Sequence, residues 1–84
     1  MEKLEQYRQQ IEEIDKQIID LLTHRMDLSK AIGELKKEIG IPVYDPQREE
    51  ELKNKNLSLV DERYRSAYLS IFESILKASK DLQL

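Results

Sequence analysis

With 84 residues the chain has room for one small domain, spanning 1–84, and chains this short bury only about 60% of the surface they expose when unfolded, so association is a common remedy. It has no cysteine and a single histidine, His24, which excludes a disulfide framework and any thiolate or multi-histidine metal site. A net charge of −3 argues against a general nucleic-acid binder, and no apolar run approaches the roughly 18–20 residues of a membrane span.

The N-terminus, Met1-Glu2-Lys3-Leu4-Glu5, lacks the apolar core of a secretory signal, so a cytoplasmic protein is expected. From there Leu4, Tyr7, Ile11, Ile14, Ile18, Leu21, Arg25, Leu28, Ile32, Leu35 and Ile39 alternate spacings of three and four without a slip. This heptad seam predicts one helix over about 3–39, roughly 55 Å long. A compact domain of this size is only about 25–30 Å across, so the helix must project beyond its own domain. The apolar stripe on the projecting part needs cover, and a second copy of the chain is the simplest source. Gly33 inside this helix should cost about 1 kcal/mol relative to alanine, and close helix–helix approach explains it better than a hinge.

Gly40-Ile41-Pro42 ends the first helix, because glycine suits the left-handed position after a helix and proline prevents continuation. Asp45-Pro46 opens a second, over about 46–57, with aspartate as cap and proline at the first helical position. Asn54 and Asn56 keep it short. Asp61 caps a third helix over about 62–83, whose apolar stripe reads Tyr64, Tyr68, Ile71, Ile75, Ala78 and Leu82. Nothing reads as a strand, so the expected class is all-α with three helices of very unequal length.

Arg25 occupies a seam position that should be apolar. An unpaired buried cation costs several kcal/mol, so it requires an anionic partner or a route to water. A salt bridge or a snorkelling side chain would suffice; so would an anionic ligand. Lys36 lies eleven positions on, almost three full turns, and points to nearly the same side about 16 Å along the axis. It is either a solvated lysine beside Lys37 or the second half of a grip on a small dianion. Arg48 and Glu49 stand in the first turn of the second helix, where the dipole favours Glu49 and disfavours Arg48 unless an anion or Asp45 answers it. Ser79 and Gln83, one turn apart on the third helix, are neutral hydrogen-bonding groups at the edge of its stripe. His24 reads as a surface residue, and Asn56-Leu57-Ser58 as a chance match to a glycosylation sequon.

Taken in order, Tyr7-Arg8-Gln9-Gln10-Ile11-x-x-Ile14-Asp15, Leu21-Leu22-x-x-Arg25, Ile32-Gly33-x-x-Lys36, Ile41-Pro42-Val43-x-Asp45-Pro46-x-Arg48-Glu49 and Ser79-x-x-x-Gln83 form a specific pattern. Over essentially its whole length the chain resembles the AroQ class of all-helical chorismate mutases. The resemblance implies an intertwined, domain-swapped homodimer, with the first helix of each subunit spanning both halves. It implies the Claisen rearrangement of chorismate to prephenate, a unimolecular reaction that needs no cofactor, metal or nucleophile. Arg25 and the partner chain's copy of Arg8 would bind the two substrate carboxylates, each through the planar guanidinium fork. Arg8 and Arg25 lie about 25 Å apart on one helix and cannot share a small ligand, whereas antiparallel pairing brings Arg8 of one chain near Arg25 of the other.

By the same resemblance Lys36 donates to the ether oxygen and a carboxylate, and Gln83 donates to that oxygen from the other side. Glu49 accepts from the ring hydroxyl with the Asp45 backbone assisting, Arg48 is held by Asp45, and Ser79 binds a carboxylate. No dehydratase, dehydrogenase or synthase domain is attached, unlike in the bifunctional members, so the expectation is a free-standing mutase or an excised domain without feedback control of its own. Gln83 lies close to the C-terminus, where fraying is common. An isochorismate-pyruvate lyase on the same scaffold and a non-catalytic helical dimer are the competing readings. The Asp45-Pro46-x-Arg48-Glu49 stretch and Gln83 favour the mutase over the lyase, and the cation in the seam disfavours an adaptor.

Overall fold

The computed structural model describes residues 1–84 and has three α-helices, α1 (Glu2–Ile39), α2 (Pro46–Leu57) and α3 (Arg65–Gln83), with a 3-10 turn at Glu62–Tyr64 and no strand. The molecule measures 56 × 25 × 16 Å, so α1 alone sets its length. The α1 C-terminus forms as its sequence requires. Gly40 takes the left-handed conformation (φ 74°), and its N–H closes on the carbonyl of Lys36, as does that of Ile41 at 3.0 Å. At the start of α2 the Asp45 carboxylate accepts from the backbone N–H of Arg48 at 3.0 Å, with Pro46 in the first turn.

The third helix starts differently from its sequence reading. Asp61 does cap, but its carboxylate accepts from the N–H and the guanidinium of Arg63 and opens a 3-10 turn, and the α-helix proper begins at Arg65. The hydrogen bonds from the Arg63 side chain and then from its backbone hold the Asp61 carboxyl below its ordinary range. A lowered folded-state pKa means that the cap stabilises fully above the ordinary carboxylate pKa and is lost as pH falls through the lowered value. Asp61→Ala should therefore lower the urea midpoint at neutral pH and remove part of the decline seen on acidification, measured as midpoint against pH.

α3 packs on both other helices and is the element that joins them. The residues it buries are Phe72 and Leu76, with Tyr68, Ile75 and Ala78 half-buried. This corrects the expected stripe, since Tyr64, Ile71 and Leu82 are exposed within the chain. The apolar arc of α3 is wider than one register. The Phe72–Leu76 row faces α1 and α2, and Tyr68 stacks on Phe72 at 5.5 Å between ring centroids. The Ile71–Ile75 row instead lines an open apolar groove with Ile18 and Leu22 of α1. Asn56 of the sequon donates to the Tyr68 hydroxyl at 3.1 Å and so serves α2–α3 packing.

Only 4 of the 84 residues are buried, too few for a self-sufficient core, and every residue from Met1 to Leu21 is exposed. Leu4, Tyr7, Ile11, Ile14 and Ile18 stand 42–57% exposed along that stretch. No helix is long and apolar enough to cross a membrane.

Candidate active site

A cavity of about 560 Å³ lies where α3 crosses the C-terminal half of α1 and the start of α2 closes over them. Arg25 and Lys36 of α1, Arg48 and Glu49 of α2, and Ser79 and Gln83 of α3 all line it, with Asp45 at its edge. Seven of the eight residues singled out from the sequence thus meet at one place. Arg8 is the exception. It is exposed on the projecting part of α1, about 25 Å from Arg25 along the helix.

Arg25 is half-buried with its guanidinium 6.0 Å from the centre of the Phe72 ring, and no carboxylate of the chain pairs with it. The intrachain salt bridge weighed for this seam position is absent, which leaves the cation facing the cavity. Lys36 is also half-buried and is not merely solvated. Its ammonium donates to the Val43 carbonyl at 2.9 Å, which ties the α1–α2 connection across the cavity mouth and leaves two N–H donors free.

Arg48 differs from its expected placement. Asp45 holds its backbone N–H, while its guanidinium lies 3.8 Å from Glu51, one turn along α2. The Arg48 guanidinium turns towards the Glu51 carboxylate rather than back to Asp45. Glu49 faces inward and pairs with Lys80 of α3 at 3.5 Å, and Lys80 also sits 4.4 Å from the centre of the Tyr44 ring. Sequence reasoning missed Lys80. Its neighbour Ser79 stands out as a polar group at the edge of the apolar stripe, but nothing in the pattern distinguishes Lys80 from the other charges of α3.

Gln83 is set by a close backbone approach of α3 to α1 at Gly33. A Cβ built on Gly33 would lie 2.7 Å from Gln83 Cα and 2.8 Å from its carbonyl oxygen, so only glycine lets α3 come this near α1. The expected reason for Gly33 is therefore the observed one. Gln83 Nε2 points to Ser79 Oγ at 3.5 Å, and its Oε1 is buried with no partner. A buried orphan acceptor costs about 1–3 kcal/mol, and such groups collect where a ligand or water completes the contacts. Gly33→Ala should gain helix propensity yet push α3 and Gln83 away. A misplacement of about 1 Å can cost up to a hundredfold in rate, so kcat should fall at least tenfold with the helical circular dichroism retained.

The arrangement is a half-enclosed pocket whose cations outnumber its carboxylates, with a neutral amide and a hydroxyl on one wall and no thiol or imidazole. Fold and site together define an all-helical protein with a half-enclosed pocket of net positive charge. Residues 7–84 match the chorismate mutase type II family, and the chain belongs to that family. It is 34% identical over 85 residues to the chorismate mutase of Methanocaldococcus jannaschii, covering 99% of this chain and 86% of that protein. It is 36% identical over 88 residues to the bifunctional chorismate mutase/prephenate dehydratase of Aquifex aeolicus, of which it spans only 24%. A solved structure of a conserved hypothetical protein from Pyrococcus furiosus superposes with a TM-score of 0.80 at 40% identity, over 98% of this chain and 96% of that one.

Proposed function

We propose that this chain is a chorismate mutase that rearranges chorismate to prephenate, working as an intertwined homodimer. The observation that carries the reading is the convergence of Arg25, Lys36, Glu49 and Gln83, from three helices, on one cavity in a member of this family. The reaction breaks one carbon–oxygen bond and forms one carbon–carbon bond within the same molecule. The protein's task is to hold the flexible dianion in its compact conformer and to stabilise negative charge growing on the departing ether oxygen.

Arg25 binds one carboxylate, and Arg8 of the second subunit binds the other. Lys36 already spends one donor on Val43 and has donors left for the ether oxygen and a carboxylate. The Gln83 amide donates to the same oxygen from the opposite wall. Glu49, oriented by its ion pair with Lys80, accepts from the ring hydroxyl. Arg48 lines the entrance and adds to the positive field. The long exposed stripe of α1 and the Ile71–Ile75 groove support the dimer, because α1 of an antiparallel partner would cover both and carry its Arg8 towards this Arg25.

Purified protein incubated with chorismate, followed by ultraviolet absorbance with the product identified by chromatography, is the direct test. Loss of chorismate with matching appearance of prephenate is expected. A folded protein that leaves chorismate intact would overturn the reading, and turnover of isochorismate in its place would identify the lyase.

A further inference from the structure

Ser29 is the buried polar side chain of this fold, 4% exposed at the middle of the α1–α3 contact, and nothing in the sequence pattern singled it out. Its Oγ lies 2.5 Å from Ser79 Oγ and has no other hydrogen-bond partner. Two hydroxyls share that one bond but own two protons, so its direction decides which proton is left over. If Ser79 donated, the Ser29 proton would have nowhere to go in a buried site, at the cost of an unmade hydrogen bond. If Ser29 donates, its proton is satisfied and the Ser79 proton is released to point elsewhere. Ser79 Oγ also faces Gln83 Nε2 at 3.5 Å, a second donor directed at the same oxygen. With Ser29 donating and the Gln83 amide on the other side, the Ser79 hydrogen is the one left free to turn outward, and Ser79 lines the cavity.

We infer that Ser29 is a positioning residue, which fixes the Ser79 hydroxyl as a donor into the cavity, aimed at a carboxylate of the bound dianion. The inference rests on the mutase reading, since it assigns the group that Ser79 addresses. Ser29 touches no substrate. It acts by removing the alternative in which Ser79 satisfies itself within the protein and offers the anion a lone pair.

The test is a double-mutant cycle of Ser29→Ala and Ser79→Ala in the full chain, with kcat, KM and the urea midpoint measured for all four proteins. Ser29→Ala alone should lower kcat/KM for chorismate about fivefold to tenfold, the scale of one net hydrogen bond. In the Ser79→Ala background the same change should have no further effect on kcat/KM, because the hydroxyl it orients is gone. Ser29→Thr, if folded, should restore part of the lost activity. A bond serving only to hold α1 on α3 would lower the midpoint of Ser29→Ala and leave kcat/KM at the wild-type value, and that result overturns the inference. Equal losses in both backgrounds overturn it too. Wild-type protein with no activity on chorismate removes the mutase reading itself and this inference with it, whereas an active wild type with an indifferent Ser29→Ala removes only the inference.

Discussion

Arg25→Ala is expected to abolish nearly all turnover while leaving a folded dimer. Arg25 has no carboxylate partner in its own chain, so its removal orphans no buried acid and should relieve the seam of a cation. Its loss falls on the ligand instead. Truncating one side of a desolvated, hydrogen-bonded charge pair typically costs about 2–5 kcal/mol, or roughly thirtyfold to several thousandfold in kcat/KM. Arg8→Ala should behave alike despite lying about 25 Å away on the same helix. Mixing the two inactive variants under conditions that exchange subunits tests both arginines and the dimer together. Half of the random dimers are then mixed, and each of these has one site with both arginines intact and one with neither. About a quarter of wild-type activity should return. Recovery of nothing would mean that Arg8 and Arg25 do not meet across subunits. Unfolding of Arg25→Ala would point to a structural role for that cation.

Lys36→Ala should give the second large loss. Removing one preorganised donor to a developing oxyanion typically costs about 2.7–4 kcal/mol, a hundredfold to a thousandfold in kcat. Lys36 also ties Val43 at 2.9 Å, so part of the effect could arise from a loosened α1–α2 connection. Lys36→Arg separates the two causes, since it keeps a donor and a charge but replaces the compact ammonium by a planar fork. A pure tether would tolerate that change, whereas a donor matched to one ether oxygen would not, and kcat should stay depressed with KM much less affected. Wild-type kcat in Lys36→Ala would remove Lys36 from the reacting centre.

The local signals in the chain delimit α1 and α2 and place α3 to within its first turn. Gly40 in the left-handed conformation and Asp45 with Pro46 each act over one or two turns, and the seam from Leu4 to Ile39 repeats its spacing along the whole of α1. Helix ends obey such short-range rules because residues of the same turn can satisfy the free backbone groups there. The misfit of Arg25 was equally legible, since a cation among apolar neighbours stands out at single-residue resolution. The order and spacing of Arg8, Lys36, Glu49, Ser79 and Gln83 carried the resemblance to the family to which the chain belongs.

Tertiary structure decided what periodicity leaves degenerate. The apolar arc of α3 offers two adjacent rows, and hydrophobicity alone does not say which one meets the chain's own helices. The packing of α3 against both α1 and α2 chose Phe72 and Leu76 and left Ile71 on the open groove. The same packing brings Lys80 to Glu49 and Ser29 to Ser79, pairs separated by dozens of residues whose partners exist only once the helices cross. Asp45 shows the limit from the other side. The sequence pairs it with Arg48, but only the Arg48 backbone N–H reaches its carboxylate, while the guanidinium turns to Glu51. Local propensity thus determined the elements and the cast of polar residues, while the angle at which three amphipathic helices close decided which of those residues meet.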